Sequence, residues 1–340
     1  PPPPPPHPPP LSRPLRHTRL CKLSRGLGDV YKRQGGVNAI DADFHREHMA
    51  ACYLVEEESE VAFIEVGTNS STPRLIKVLE NRGWKPEDVT FVIVTHVHLD
   101  HAGGAGSLMQ LLPNATFLVH PYGARHMMDP AKLEAGSRAV YGDEMFERIY
   151  GELIPVEESR VRIMEDGDEI TIGSRRLRFM DTPGHARHHF CVFDSLTRGW
   201  FTGDTFGLSY REFDTENGAF LLPTTTPIQF DPEALKASVR KLMAADPQYM
   251  YLTHYGRVGD VQRLSKVMIE GVDTFVRFAE RYRDADSRTQ KIEAAMRAWL
   301  MEGLDKHGVT LSEERCEELL VSDIKLNTQG IEFWLDHPRR

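Results

Sequence analysis

The sequence predicts an α+β fold in which two sheets pack face to face between outer layers of helices, an αββα sandwich. Two observations support this prediction. Short runs of apolar and β-branched residues occur in two series, over residues 52–120 and 168–204, and helical segments accompany each series. Sheets that alternate with helices in this way bury one face against each other and the second face against the helices.

The first series opens with CYLVEE and VAFIEVG, two predicted strands joined by the turn EESE. Thr72 is expected to cap a helix that starts at Pro73 and ends at Gly83. FVIVT (91–95) is a continuous apolar and β-branched run, which is typical of a strand buried on both faces. A Gly-rich segment and a helix follow, and TFLVH (116–120) predicts the next strand.

The second series predicts four more strands, followed by a helix around 231–244 and the strand YMY. These four strands are expected at 168–173, 177–184, 189–194 and 199–204.

From about residue 260 the pattern is helical only, and Thr310 with Glu313 indicates a capping box for the last of three helices. We expect the apolar stripes of these helices to pack against the main domain, with a substrate lid or a dimer face as the alternative. The predicted organisation is a main domain over residues 35–260 and a C-terminal helical extension over 261–340.

Residues 1–34 differ from the rest of the chain. They begin with a Pro-rich stretch, and SRGLGDVYKRQ resembles translated adapter sequence, so a non-native disordered tail is expected. A natural Pro-rich tail is the alternative. This segment carries seven Lys and Arg against one Asp, which leaves the remainder with 34 basic and 49 acidic side chains and a net charge of −15. Such an acidic surface repels phosphate backbones, so we expect no nucleic acid as a partner.

The four cysteines are scattered without paired spacing, which is typical of reduced thiols in a cytoplasmic protein. No apolar run approaches the length of about 18 residues that a membrane helix requires, and no membrane association is expected. The sequence leaves the oligomeric state open.

The sequence THVHLDH, directly after the predicted strand FVIVT, is the strongest functional signal. It places His96, His98, Asp100 and His101 within six residues. Crowding imidazoles and a carboxylate carries desolvation and like-charge penalties unless a cation holds them. Because alternate residues leaving a strand can face one cavity from different sides, His96 and His98 could hold one ion while the other two hold a neighbour.

Three further polar residues each follow a predicted strand and can complete a dinuclear site. His185 ends the motif TPGH, Asp204 ends FTGD and His254 ends LTH. A lone histidine at a strand end is more often structural than a ligand, but the ordered set is difficult to explain otherwise.

The motifs HVHLDH, TPGH, FTGD and LTH, in that order, resemble those of the metallo-β-lactamase superfamily, and most closely its glyoxalase II-like and lactonase-like hydrolases. The resemblance covers roughly residues 50–256. It implies the same αββα sandwich. It also implies a first metal ion bound by His96, His98 and His185, a second bound by Asp100, His101 and His254, and a bridging Asp204. His189 resembles a position that orients the site, whereas His188 has no counterpart in the motif and is expected at the surface or in the pocket wall.

A pair of divalent ions can lower the pKa of a bound water and polarise a scissile carbonyl. Asp100 or Asp204 could then accept the proton and deliver it to the leaving group, so these two are the candidate catalytic residues. Zinc is the expected metal, and iron or manganese fits the same ligands. No G-x-S-x-G nucleophile motif occurs, and Cys191 is expected to be a buried small residue.

Differences from related enzymes narrow the substrate to an ester, lactone or thioester of a small molecule. Asp204 stands where the resemblance gives classical β-lactamases a cysteine, and His98 stands where flavodiiron proteins have glutamate. Gly256 replaces the tyrosine of the glyoxalase II motif GHEYT, and no Lys/Arg cluster for glutathione is evident.

Several loop residues could line the pocket, although ordinary loop roles explain them equally well. They are Tyr210, Tyr255, Arg257 and the stretch 223–227. The alternative functions are a mononuclear iron persulfide dioxygenase-like enzyme and a non-catalytic binding protein.

Overall fold

The structure is a computed structural model that describes residues 30–225 and 227–337. The expected tail therefore lies outside the described residues as far as residue 29, and its origin stays a prediction. Val30–Gln34, by contrast, forms the first strand, β1. The expectation of a disordered tail was therefore wrong at these five residues.

Within the described chain, seven strands form the first sheet in chain order, β1 to β7. They are β1 (Val30–Gln34), β2 (Val37–Asp41), β3 (Ala51–Glu57), β4 (Glu60–Ile64), β5 (Val89–Ile93), β6 (Thr116–Val119) and β7 (Val161–Ile163). The strands from β1 to β4 pair antiparallel, and those from β4 to β7 pair parallel. The strand predicted at FVIVT is β5, which ends two residues earlier than expected.

Six described strands form the second sheet in the order β13-β12-β11-β10-β9-β8. They are β8 (Glu169–Ile172), β9 (Arg175–Asp181), β10 (Phe190–Asp194), β11 (Gly199–Gly203), β12 (Tyr249–Leu252) and β13 (Gly256–Val258). Both β9 and β11 are antiparallel to β10, and β11 is parallel to β12. The carboxyl ends of β9, β11 and β12 therefore lie at one edge of this sheet.

The described residues form ten α-helices. They are α1 (Thr72–Asn81), α2 (Leu99–Ala102), α3 (Ala105–Leu111), α4 (Pro121–Met128), α5 (Ala131–Tyr141), α6 (Asp143–Ile149), α7 (Pro232–Met243), α8 (Val261–Arg281), α9 (Arg288–His307) and α10 (Glu313–Asp336).

Two predicted caps were wrong in position. The N-cap of α1 is Ser71 rather than Thr72. The N-cap of α10 is Ser312, whose hydroxyl accepts a hydrogen bond from the Arg315 N–H at 3.2 Å, rather than Thr310. The shift at α10 is small because neighbouring Ser and Thr residues are nearly equivalent as capping acceptors, whereas the Ser71 side chain makes no capping hydrogen bond to α1.

Three apolar clusters show the layered architecture. The central cluster lies between the sheets and contains aromatic side chains from both, including Tyr53, Phe179 and Phe201. A second cluster joins the first sheet to α1 and α3, and a third joins the second sheet to α7 and the last three helices. The predicted αββα sandwich with a C-terminal helical extension is confirmed. The apolar stripes of α8, α9 and α10 belong to the third cluster, as expected for core packing.

A buried ion pair lies at the edge of the second sheet opposite the carboxyl ends of β9 and β11. Arg175 begins β9 and Asp194 ends β10, and their side chains lie 3.3 Å apart with neither exposed. Asp194 also accepts hydrogen bonds from the Thr197 hydroxyl at 2.5 Å and the Leu196 N–H at 3.0 Å. Arg175 further donates to the Gly35 carbonyl, which fastens the first sheet to the second. These partners compensate the cost of desolvating both charges.

The cysteines that the structure describes, Cys52, Cys191 and Cys316, are free and buried. Burial raises the pKa of the Cys191 thiol to about 12, which agrees with its predicted role as a small buried residue. None of the helices in the described ranges is long and apolar enough to cross a membrane.

Candidate metal centre

The predicted ligands come together because their strands end at one edge of the sandwich. His96 follows β5 of the first sheet, and His185, Asp204 and His254 follow β9, β11 and β12 of the second. A hydrogen bond from the Phe190 N–H to the Thr95 carbonyl, at 2.9 Å, joins the two sheets at this edge. The fold thus brings His96 and His254, which are 158 positions apart in the sequence, into one cluster.

His96, His98 and His185 form the first group of candidate ligands. Nδ1 of His98 lies 2.8 Å from Nε2 of His96 and 3.1 Å from Nε2 of His185. The donor atoms of these three side chains all lie within 4.8 Å of one another and could hold a metal ion. This is the trio that the resemblance implied for the first ion.

Asp100, His101 and His254 form the second group, and their donor atoms also lie within 4.8 Å of one another. Oδ2 of Asp100 is 3.2 Å from Nε2 of His254 and 3.5 Å from Nε2 of His101. Asp100 and His101 reach this position from the single turn of α2, which starts immediately after His98.

Asp204 lies between the two groups. Its Oδ2 is 3.3 Å from Nε2 of His185, whereas its Oδ1 is 3.4 Å from Nε2 of His101 and 3.6 Å from Nε2 of His254. One carboxylate oxygen therefore faces each group, which is the arrangement that a bridging ligand requires.

The electrostatics differ between the two groups. Burial and the neighbouring imidazoles hold the pKa values of His96 and His98 well below their usual range. In the second group, burial also opposes charge on His254, but Asp204 and Asp100 outweigh it and raise its pKa to about 9. The same two carboxylates and Glu65 overcome burial at His101 and raise its pKa well above the usual range. The second group therefore attracts positive charge.

Unsatisfied polar atoms indicate that the site suits a cation. Nε2 of His101 and Oδ1 of Asp204 face the cluster, are buried and make no hydrogen bond within the described part of the chain. Buried polar groups without partners cost free energy, and a metal ion would satisfy these atoms. Imidazole nitrogens and carboxylate oxygens are ligands that zinc, iron and manganese accept. The residues present therefore fit a pair of divalent ions.

Glu65, which directly follows β4, orients His101. Its Oε1 lies 3.3 Å from Nδ1 of His101 and accepts hydrogen bonds from the hydroxyls of Thr95 and Thr253. Glu65 is itself buried and has a positive φ of 63°. A carboxylate behind a ligating histidine fixes the ring and strengthens it as a ligand.

His189 and His188 have different roles, as expected. Nε2 of His189 accepts a hydrogen bond from the Asp204 N–H at 3.2 Å, and its Nδ1 lies 3.0 Å from the Thr182 hydroxyl. His189 therefore holds the backbone of Asp204, in agreement with a position that orients the site. His188 is buried rather than at the surface, and its ring lies parallel to that of His96 at 6.1 Å. Of the two positions expected for it, the surface was therefore wrong, because this loop folds back onto the ligand cluster.

Loop carbonyls fix the second ring nitrogen of two candidate ligands. Nδ1 of His254 donates to the Met49 carbonyl at 2.7 Å, and Nδ1 of His185 donates to the Thr224 carbonyl at 3.3 Å. Each bond leaves the ring's Nε2 directed at the cluster. Thr224 belongs to the stretch 223–227 that was a candidate for the pocket lining; its residue 226 lies outside the described residues.

The three other candidates for the pocket lining each contact a specific side chain. The Tyr210 hydroxyl is buried and donates to Asp323 of α10. The Tyr255 ring is buried and lies 5.0 Å from that of His48. The Arg257 guanidinium lies over the Tyr249 ring at 4.3 Å.

Two glycines allow the ligand loops to approach their neighbours closely. Gly184 has a φ of 132°, and a Cβ added there would lie 2.2 Å from the backbone nitrogen of Leu235 in α7. Gly203 has a φ of 47°, and its added Cβ would lie 2.5 Å from Nε2 of His189. Only glycine fits these two positions, which directly precede His185 and Asp204.

Solvent reaches the cluster at His98 and Asp100. These two are partly exposed, whereas the five other candidate ligands are buried, and 22% of the Asp100 side chain is accessible. Asp100 therefore lies at the opening of the cluster, whereas Asp204 is buried within it.

The geometry agrees with a comparison of the whole sequence with protein families. A family model described as the metallo-beta-lactamase superfamily matches residues 45–254, which include all seven candidate ligands. The chain belongs to the metallo-β-lactamase superfamily.

Similar members of the metallo-β-lactamase superfamily include proteins of several kinds. The metallo-beta-lactamase fold-containing protein ST1585 of Sulfurisphaera tokodaii is 30% identical over 216 residues, which cover 62% of this chain and 74% of that protein. A hydroxyacylglutathione hydrolase of Rhodopseudomonas palustris is 27% identical over 45% of this chain, and the match spans only 46% of that enzyme. An N-acyl homoserine lactonase of a Bacillus species is 22% identical over 64% of this chain and 85% of that enzyme.

The solved structure of the archaeal superfamily protein ST1585 from Sulfolobus tokodaii superposes with a TM-score of 0.62. The superposition covers 87% of this chain and 98% of that protein at 22% sequence identity. This similarity confirms the metallo-β-lactamase fold predicted from the motifs.

Apart from His189, the residues behind the candidate ligands were not predicted from the sequence. Glu65 carried a signal, because it is a lone carboxylate directly after the apolar run VAFI. Met49 and Thr224 act through their backbone carbonyls, which leave no signature in the side-chain pattern.

Proposed function

We propose that this protein is a metal-dependent hydrolase that uses a dinuclear centre, with zinc as the metal, to cleave an ester, lactone or thioester of a small molecule. One observation carries the proposal. The Asp204 carboxylate directs one oxygen at each of two three-residue ligand groups, as a bridging ligand does.

Two divalent ions bound there would lower the pKa of a bound water toward neutrality and polarise the scissile carbonyl. The chain's own residues define the remaining chemistry. Asp100 is the accessible carboxylate, and it lies 3.2 Å from Nε2 of His254 at the opening of the site. In this position Asp100 can accept a proton from the nucleophile and return it to the leaving group. Asp204 is buried and contacted on both oxygens, which suits a bridging role better than proton transfer.

The relatives support hydrolysis as the reaction class, since one is named a hydroxyacylglutathione hydrolase and another an N-acyl homoserine lactonase. The residues of this chain favour a substrate without glutathione. Gly256 occupies the position of the tyrosine in the GHEYT motif, and Arg257 lies over the ring of Tyr249.

Elemental analysis of the purified protein, together with a panel of lactones, thioesters and aryl esters, tests the proposal. We expect about two zinc ions per chain and hydrolysis that a chelator abolishes and added zinc restores. A single iron with oxygen consumption and no hydrolysis would instead indicate a persulfide dioxygenase-like enzyme. Protein that binds no metal would refute the ligand assignment.

His101→Ala tests the dinuclear mechanism directly. Removing a ligand of the second group should lower kcat/KM by about 100-fold or more while the protein stays folded. His307→Ala is the matched control, because His307 lies at the end of α9, where its ring donates to the Gly218 carbonyl at 3.0 Å and packs against Phe220. Full activity of His101→Ala would contradict the use of two ions.

A further inference from the structure

The last helix, α10, makes three hydrogen bonds to the segment that follows Leu222. Oδ1 of Asn327 accepts from the Thr225 N–H at 2.7 Å, and the Asn327 carbonyl accepts from the Thr225 hydroxyl at 3.1 Å. Nδ2 of Asn327 donates to the Pro223 carbonyl at 3.4 Å. Asn327 is 1% exposed, so the helix holds the segment from both sides of Thr224 without competition from water.

Thr224 lies at the centre of this clamp, and its carbonyl accepts the hydrogen bond from Nδ1 of His185 at 3.3 Å. That bond places the proton of His185 on Nδ1 and leaves the Nε2 lone pair facing the cluster. Nε2 is the atom that lies 3.1 Å from Nδ1 of His98 and 3.3 Å from Oδ2 of Asp204. The direction of the ligand atom therefore depends on where the Thr224 carbonyl sits.

The other end of the segment is also fixed. Leu222 and Leu208 exchange two backbone hydrogen bonds of 2.9 and 3.0 Å, and the neighbouring Ser209 N–H donates to the His254 carbonyl at 2.5 Å. The segment is thus tied at Leu222 to a loop that supports a ligand of the second group. Asn327 restrains the segment further, through its bonds to Pro223 and Thr225.

An asparagine at this position requires a physical reason. Asparagine is a poor helix former in a helix interior, and burying its amide costs free energy unless the amide is hydrogen-bonded. Ile324 and Ile331 of the same helix are buried in the third apolar cluster, beside the buried polar residues Asp323 and Thr328. An apolar residue could fill the space, but it could not hold the two backbone groups that flank Thr224.

We propose that Asn327 is a positioning residue for the metal centre, which sets the orientation of His185 through the carbonyl of Thr224 and thereby the affinity of the first metal ion. This role rests on the proposed dinuclear function. It makes the C-terminal extension part of the metal-binding apparatus in addition to its packing against the second sheet.

Zinc titration against a chromophoric chelator tests this role in the full-length protein, with the absorption spectrum of the cobalt-substituted protein as a second measurement. Asn327→Leu removes both side-chain hydrogen bonds. It should lower the affinity for one of the two zinc ions by about tenfold and change the cobalt spectrum. Asn327→Asp keeps the acceptor for the Thr225 N–H and should recover most of that affinity. The control Ile331→Ala removes buried apolar volume from the same helix, so it should lower stability and leave both zinc affinities within about twofold.

The outcomes separate this role from the proposed function. If the wild-type protein binds no zinc, the proposed function fails. If it binds two ions and Asn327→Leu binds both with unchanged affinity, the positioning role is wrong. Equal weakening by Asn327→Leu and Ile331→Ala would also overturn it, because the effect would then follow stability alone. Should Asn327→Leu not fold, Thr225→Val removes only the hydroxyl bond to Asn327 and should weaken the same ion by about two- to threefold.

Discussion

Replacing Asp323 with asparagine should stabilise the protein at pH 8 and about half as much at pH 5. Asp323 lies on α10 and is 7% exposed, and the Tyr210 hydroxyl lies 3.1 and 3.2 Å from its two oxygens. Burial raises the pKa of this carboxyl to about 6. His254, the Tyr210 hydrogen bond and Arg46 oppose the rise, whereas Asp204 adds to it.

The direction of the stability change follows from the raised pKa of Asp323. Because the pKa in the folded protein lies above the unfolded value of 3.8, the protonated carboxyl favours folding. Its contribution is complete below about pH 4 and is lost as the pH rises through about 6. The shift corresponds to about 3 kcal/mol of lost stability at pH 8. Asparagine carries no charge there and keeps an acceptor for Tyr210, so a net gain of about 1 to 3 kcal/mol is expected.

Urea unfolding of the metal-loaded protein at pH 8 and pH 5 measures this difference. Asp305→Asn is the matched control, because Asp305 is exposed on α9 and the substitution removes a carboxylate without relieving burial. A variant that is less stable than the wild type at pH 8, or whose gain is the same at both values of pH, would refute the reasoning.

Three further substitutions test the site and the fold. Glu65→Gln replaces the carboxylate behind His101 with an uncharged amide. It should reduce the affinity for the second ion by about 10- to 100-fold in a zinc titration, and an unchanged affinity would show that Glu65 does not strengthen His101 as a ligand. Arg175→Met leaves the buried Asp194 unpaired and should cost about 3–5 kcal/mol in urea unfolding without altering the metal content. Gly184→Ala should lower the melting temperature and the affinity for the first ion, because the added Cβ would lie 2.2 Å from a backbone nitrogen of α7. Wild-type stability and zinc affinity in this variant would show that the loop can move away.

The sequence predicted the layers and the ligand cluster because both depend on local patterns. FVIVT could be recognised as a buried strand from its continuous β-branched run, and HVHLDH follows it directly. The later ligands His185 and His254 each follow a strand that its own apolar residues reveal. Once these strands lie in one sandwich, their ends meet, so the positions of the ligands follow from the fold.

The parts that the sequence could not predict depend on contacts between distant residues. The strand β7 is only three residues long and its pairing with β6 is what defines it. Glu65 is a single carboxylate until the fold brings it to His101. The clamp of Asn327 on Thr225 joins positions 102 residues apart, and no periodicity or motif records such a pair.

The buried pair of Arg175 and Asp194 lies at the edge of the second sheet opposite the candidate ligand cluster, so this ion pair and the proposed chemistry lie at different ends of the same strands. Selection can therefore act on stability and chemistry separately. Mutations near Arg175 can adjust the thermal tolerance of the protein while the loops around His185 diversify toward new substrates. Laboratory evolution could use this separation by first stabilising the distant edge and then randomising the opening at Asp100, where the added stability would compensate for damaging changes.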